Sequence, residues 1–242
     1  MLIWSGLISG LIALTNFSCA ILLFATCLTL MFIGRIPIKY LLIIVLTGIL
    51  VGGGGLIWGQ RGRTALKRIE GFIKGTVSFQ AEQSYIAIAT GGLLGKGPGN
   101  STQRNFLPHP YSDFIYAILI EEYGLIGGIF ILVLYLLLLY RSIALLPTAS
   151  SYYGGILATG ISLLIVFQAL LNMSIAVGLG PVTGLPLPFV SMGGTSVLFT
   201  GIALGILLSI GQGVIDTELI HLQKAVAGIR YNRYKKMAEM NS

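Results

Sequence analysis

Charged residues are missing from most of the chain, and this limits its possible folds more than any other feature. No Asp, Glu, Lys or Arg occurs in residues 1–34, 40–60, 123–140 or 142–215. Charged residues make up 10% of the sequence, against roughly 25% in ordinary soluble domains. Because about 20 apolar residues are enough for one transmembrane helix, the sequence indicates a membrane protein.

The uncharged stretches predict an all-α, polytopic transmembrane helix bundle over residues 1–214, with a partial further helix within 1–12. Each of the first three stretches can cross a membrane once, and the fourth can cross twice. A polar loop, 59–112, separates the second and third spans, and a basic tail, 215–242, ends the chain. The five predicted spans are 13–33, 39–58, 114–140, 152–176 and 195–214.

The placement of Lys and Arg predicts the orientation of the bundle. Short loops with basic residues stay in the cytoplasm, whereas loops approaching sixty residues escape this rule. We therefore expect the turn at 35–39, Arg141 and the tail inside, which makes 59–112 a long extracytoplasmic loop. The first span then runs inward, as expected if this chain is the C-terminal half of a longer protein.

Cations outnumber acids in this outer loop, where only Glu70 and Glu82 are acidic. Topology does not require basic residues on the outer face. They are either solvated or face an anionic group such as a pyrophosphate or an acidic lipid. The cations are Arg61, Arg63, Lys67, Arg68, Lys74, Lys96 and Arg104.

Two glycine-rich segments suggest special backbone geometry. The first, "TGGLLGKGPGNSTQ" (90–103), lacks the spacing of a nucleotide-binding loop, and it forms either a flexible turn or a backbone cradle for a ligand. The helix predicted just before it, "QAEQSYIAIAT" (80–90), either lies on the membrane or packs against the bundle. The second, "GPVTGLPLPFVSMGGTS" (180–196), breaks the helix and forms a cavity wall or a plain hairpin.

Three acids stand near the start of the third span. Glu121 and Glu122 lie deep enough that we expect them to pair with a neighbouring helix or a basic loop residue, since a charge at membrane depth is costly. Asp113 lies at the entrance. There Ser112 or Asp113 would cap the helix, or Asp113 would meet a substrate and the loop cations.

Segments 80–124 and 169–199, in this order, resemble the SEDS family (the FtsW/RodA group) of peptidoglycan glycosyltransferases. The resemblance implies a bacterial cytoplasmic membrane protein of ten helices, of which this chain matches about helices six to ten. It implies that lipid II and an undecaprenyl-pyrophosphate-linked glycan are the substrates, and that a class B penicillin-binding protein and other division or elongation proteins are partners. We favour the division type, and we expect neither nucleic acid nor an organic cofactor to bind.

The resemblance implies that Asp113 is the family's catalytic acidic residue, and we expect it to act as the general base. Lys96, Arg104 and the cations of 61–68, or a divalent ion such as Mg²⁺ or Mn²⁺, would offset charge on the departing pyrophosphate. Asn16 stands where the family commonly has an acid. Many members also have a histidine shortly before the catalytic Asp, and His109 of this chain lies at a shifted position relative to it. The alternatives are a flippase for lipid-linked precursors and a non-catalytic scaffold. The predicted substrate-binding residues are Gln83, Ser84, Lys96, Gln103, Arg104, Asn172, Thr183 and Ser191.

Overall fold

The computed structural model describes residues 2–58, 60–76, 78–106, 113–149 and 151–214, and in these ranges the chain is helical without strands. The predicted all-α membrane helix bundle is confirmed. His109, Ser112 and the tail 215–242 lie outside the described residues. The helices are α1 (Leu2–Thr15), α2 (Phe17–Ile33), α3 (Ile38–Trp58), α4 (Gln60–Ile73), α5 (Phe79–Gly91), a 3-10 turn (Gln103–Asn105), α6 (Ile115–Ala144), α7 (Tyr152–Ala176) and α8 (Gly194–Val214).

Three helices within the described ranges, α6, α7 and α8, are long and apolar enough to cross a membrane. Helix α7 coincides with the predicted segment 152–176, and α8 begins one residue before the predicted 195–214. Helices α1, α2 and α3 contain shorter apolar stretches. The sides of the membrane assigned to the loop and the tail stay predictions.

The predicted helix 13–33 is wrong at its start, because Asn16 interrupts it. Asn16 has an extended backbone (φ −148°, ψ 101°), and its side chain accepts a hydrogen bond from the Cys19 N–H. Asparagine is among the favoured N-cap residues, so α2 begins at Phe17 while α1 continues to Thr15. The apolar residues on both sides concealed this local boundary.

Helix α6 is broken at Gly124, whose backbone (φ 72°, ψ −177°) is not helical. In an unbroken helix the N–H groups of Leu125 and Ile126 would donate to the carbonyls of Glu121 and Glu122. The glycine-rich loop replaces these two bonds with four. Lys96 N–H donates to Glu121 O (2.9 Å), Gly97 N–H to Glu122 O (2.9 Å), Leu125 N–H to Gly92 O (3.0 Å) and Ile126 N–H to Leu93 O (3.4 Å).

This junction requires glycine at close backbone contacts. A Cβ atom at Gly124 would overlap the Leu93 carbonyl, and one at Gly95 would overlap the Glu122 carbonyl. Both glycines have positive φ angles, which glycine adopts without the steric cost that other residues incur. The amides of Lys96 and Gly97 are thus used in bonds within the protein.

Helix α5 packs against α6 and α7 through small side chains. Ala87 is fully buried, and the Ser84 hydroxyl, which is also fully buried, donates to the Ala176 carbonyl at 2.9 Å. Ala87 joins Ala117 and Ala169 in the apolar core that α5, α6 and α7 share. Of the two interpretations of segment 80–90, these contacts support a packing helix.

We expect Gly124→Ala to lower the free energy of unfolding by about 2 kcal/mol or more, because alanine at this φ is strained and its methyl group meets the loop backbone. Thermal unfolding of the detergent-solubilised chain measures the effect. Gly201→Ala in α8 is the matched control, since nothing lies within 4 Å of its Cβ position. Equal stability of the two variants would contradict the role of the break.

Candidate functional site

Asp113 lies immediately before α6, one residue ahead of the N-cap. The N-cap is Phe114, without a side-chain capping bond, so the alternative that Asp113 is the N-cap residue is wrong. Phe114 is 2% exposed and packs with Ile118 and Ile175. This packing anchors the chain beside Asp113, whose own side chain is partly exposed.

Asn172 of α7 holds the backbone on both sides of the candidate site. Its side-chain amide donates to the Asp113 carbonyl at 2.8 Å and to the Leu185 carbonyl at 2.7 Å. Leu185 follows Gly184, which has a φ of 74°, and a Cβ atom on Gly184 would lie 3.6 Å from Asp113 Oδ2. The start of α6 and the loop between α7 and α8 are therefore held together at the Asp113 carboxylate.

The loop between α7 and α8 is irregular, and side chains satisfy its backbone. Gln168 donates to the Pro186 carbonyl at 2.8 Å, and the Tyr135 hydroxyl donates to the Pro188 carbonyl. The Leu187 N–H donates to the Ser191 hydroxyl at 2.7 Å. Buried backbone polar groups need such partners away from water. Ser191 thus supports the loop from within.

A cavity of about 300 Å³ lies beside this loop. Arg68 on its wall donates to the Val182 carbonyl at 3.0 Å, and Thr183 carries a buried hydroxyl without a partner among the described residues. Gly184 lies in the cavity wall and also next to Asp113. Of the two interpretations of segment 180–196, the lining residues Pro181 to Gly184 support the cavity wall. The lining is Thr15, Asn16, Phe17, Ser18, Ile21, Thr64, Arg68, Ile69 and Pro181 to Gly184.

Glu121 forms a separate, fully buried cluster. Its carboxylate accepts from Lys96 Nζ at 2.6 Å and from the hydroxyls of Ser101 and Thr102. It also accepts from the backbone N–H groups of Thr102 at 3.2 Å and Gln103 at 3.3 Å. The predicted pairing of Glu121 with a basic loop residue is confirmed.

All the predicted substrate-binding residues except Gln83 fall into two groups. Asn172 and Thr183 lie on the elements around Asp113 and the cavity, and Ser191 lies behind them. Ser84, Lys96, Gln103 and Arg104 belong to the junction of α5, α6 and the glycine-rich loop, where the Arg104 N–H donates to Ser101. Gln83 is partly exposed on α5.

Sequence reasoning missed Gly184 and assigned no role to Asn16. Asn16 lines the cavity while it caps α2. Glycine between the two prolines of "PVTGLP" is a weak signal, because its contact with Asp113 arises only in the folded chain.

A divalent ion held by protein carboxylates does not fit the described part of the chain. No three His, Cys, Asp or Glu side chains lie together there, so these residues form no site made of protein ligands alone. Oxygen-liganded cations such as Mg²⁺ are usually held by one or two carboxylates together with substrate phosphates.

Comparisons with known proteins match the chain to one family and to several relatives. The model of the FtsW/RodA/SpoVE family, described as cell cycle protein, matches residues 1–214. Stage V sporulation protein E of Bacillus subtilis is 39% identical over 193 residues, covering 77% of this chain and 52% of that protein. The probable peptidoglycan glycosyltransferase FtsW of Coxiella burnetii is 35% identical over 215 residues, covering 85% and 57%. The chain thus spans about half the length of these relatives.

Two solved structures share the fold. A chain of a peptidoglycan synthase complex superposes with a TM-score of 0.58 at 24% identity, covering 78% of this chain and 54% of that one. A mutant of the rod shape determining protein RodA of Thermus thermophilus superposes with a TM-score of 0.51 at 21% identity, covering 85% and 56%.

Two ion pairs of equal length provide a direct test of the Glu121 cluster. Lys96–Glu121 and Lys74–Glu70 are both 2.6 Å long, but Glu121 is fully buried whereas Glu70 and Lys74 are largely exposed. Lys96→Met leaves a buried carboxylate without its cation, so we expect a loss of about 3–5 kcal/mol in unfolding free energy. Lys74→Met should cost at most about 1 kcal/mol. Thermal unfolding that shows equal losses would contradict this difference.

Proposed function

The chain belongs to the FtsW/RodA/SpoVE family, and from this we propose that it carries the catalytic half of a peptidoglycan glycosyltransferase. The reaction is polymerisation of lipid II into glycan strands at the outer face of the bacterial cytoplasmic membrane. The growing glycan is transferred from undecaprenyl pyrophosphate to the 4-hydroxyl of the acceptor N-acetylglucosamine. The names of the relatives and the geometry at Asp113 support this proposal.

The observation that carries the proposal is the fixed position of a partly exposed carboxylate next to a cavity. Asn172 holds the main chain of Asp113, and Gly184 connects its carboxylate to the cavity wall. A general base must lie within hydrogen-bond reach of the proton that it removes. A sugar hydroxyl that enters beside Gly184 would meet Asp113 in this way.

Asp113 takes the proton of the acceptor 4-hydroxyl as its oxygen attacks the anomeric carbon of the donor sugar. The new carbon–oxygen bond forms as the bond to the pyrophosphate oxygen breaks, and the pyrophosphate leaves with the bonding electrons. Attack from the opposite face inverts the configuration from α to β. No covalent intermediate with the protein is needed.

Arg68 is the cation that the cavity favours for the pyrophosphate. A guanidinium group carries five N–H donors in a planar fork, and the contact with the Val182 carbonyl uses one of its terminal nitrogens. Lys96 is already paired with Glu121. We therefore assign charge stabilisation to Arg68 in preference to Lys96, with Arg104 as a further contributor.

A second cavity supports a lipid-linked substrate. Its volume is about 470 Å³, its lining is mainly apolar, and it lies among α1, α2 and α3. Phe17 and Ile21 line both cavities. A polar headgroup in the first cavity and an apolar chain in the second would match the two ends of such a substrate.

The family supports a class B penicillin-binding protein as the partner, and we retain the division type as the role. A flippase for lipid-linked precursors would use the same two cavities, and a scaffold would need neither. The three functions differ in what they require of Asp113.

We expect Asp113→Ala to abolish polymerisation of lipid II by the full-length protein with its penicillin-binding partner, since the base is lost. Asp113→Asn should do the same, because an amide cannot take the proton. The control is Glu70→Gln, which changes an exposed acid of α4. If the correctly inserted Asp113→Ala variant formed glycan at the wild-type rate, the proposal that Asp113 is the catalytic base would be refuted. Movement of lipid II across the membrane without formation of polymer would favour a flippase.

Asn172 and Gln168 form a matched pair on α7, since both donate to carbonyls of the following loop but only Asn172 holds Asp113. We expect Asn172→Asp and Gln168→Glu each to lower the melting temperature. Only Asn172→Asp should lower kcat, by roughly tenfold to a hundredfold, because the base is displaced. If the two variants had equal kcat values per folded protein, Asn172 would not position Asp113 for the reaction.

A further inference from the structure

Helix α4 (Gln60–Ile73) presents three different surfaces to its surroundings. With 3.6 residues per turn, Thr64 and Arg68 share one side of the helix. Both line the cavity of about 300 Å³. This side therefore faces the protein, and the bond from Arg68 to the Val182 carbonyl fixes it there.

A second side of α4 is apolar and exposed. Leu66 is 43% exposed, Ile69 38% and Ile73 77%. Ile69 follows Leu66 by three positions and Ile73 follows Ile69 by four, so the three side chains lie on one arc of the helix. Phe72, at the edge of this arc, is 45% exposed. Adjacent large apolar side chains on a surface mark a contact site.

The third side of α4 is charged. Lys67, Glu70 and Lys74 lie at helical spacing on it, and Lys74 pairs with Glu70. Over residues 60–74 the sequence has Arg61, Arg63, Lys67, Arg68 and Lys74 against Glu70 alone. The helix also follows directly after the apolar helix α3. An apolar arc and a cationic arc on one helix are typical of helices that lie in a membrane interface.

We propose that α4 lies in the membrane interface and binds anionic phospholipid. Its apolar arc (Leu66, Ile69 and Ile73) is buried among acyl chains, and Lys67 and Lys74 contact phosphate headgroups. The excess of cations selects an anionic lipid surface, and continuity with α3 places the helix at the height of that surface. Because Thr64 and Arg68 line the cavity, together with Ile69 at the edge of the apolar arc, α4 is both a membrane anchor and a cavity wall.

The depth of two labels tests the location of α4. The full chain, with Cys19 and Cys27 replaced by alanine, is labelled with a nitroxide through Ile73→Cys or Glu70→Cys and reconstituted in vesicles of phosphatidylcholine and phosphatidylglycerol. We expect the label at 73 to be accessible to oxygen and protected from a water-soluble nickel chelate, and the label at 70 to show the reverse. Leu66→Cys provides a second label on the apolar arc.

Equal access of the nickel chelate to 73 and 70 would overturn the proposal, since α4 would then be surrounded by water. Protection of 66 and 73 from both oxygen and nickel would also overturn it, because protein would then cover the apolar arc.

A second measurement tests the lipid class. We expect spin-labelled phosphatidylglycerol to associate with the reconstituted chain more strongly than spin-labelled phosphatidylcholine. Lys67→Gln with Lys74→Gln should reduce this preference by up to about fivefold per residue. The matched control, Lys67→Arg with Lys74→Arg, keeps the charge and should keep the preference. An unchanged preference in the glutamine variant would refute headgroup binding by α4.

Discussion

A carboxylate with no exposed surface is stable only where protein groups replace the water that it has lost. Glu121 meets this requirement through one segment of the chain, which supplies an ammonium group, three hydroxyls and two backbone N–H groups. That segment can reach Glu121 only by folding back onto α6, and the break at Gly124 gives it carbonyls to bind. The order of the glycine-rich loop, and with it the packing of α5, depends on this buried charge.

The sequence was sufficient to predict the features that depend on length and apolarity. Helices α7 and α8 fall at the expected residues because long uncharged stretches determine them. The boundary at Asn16 was missed, since one capping side chain inside an apolar run leaves the hydropathy pattern unchanged. The break at Gly124 was missed for a different reason. It is stabilised by residues about thirty positions earlier, and only the folded chain brings them to α6.

The candidate site shows the same division. The position of Asp113 at the start of α6 followed from the charge pattern, and a basic loop partner for Glu121 followed from the cost of a buried acid. That Lys96 is this partner could not be predicted, because seven cations of the loop were equivalent in sequence. Two acids eight residues apart are thus held differently. The fold fixes Asp113 by its main chain and leaves its side chain partly exposed, whereas it fixes Glu121 by the side chain itself.

The bridge made by Asn172 constrains more than two distances. A side-chain amide group is flat, and its nitrogen carries two hydrogens that diverge at a fixed angle. One points to the Asp113 carbonyl and the other to the Leu185 carbonyl. The two carbonyl oxygens must therefore lie close to the plane of one amide group on α7. The start of α6 and the loop after α7 are thereby oriented by one and the same side-chain group of α7.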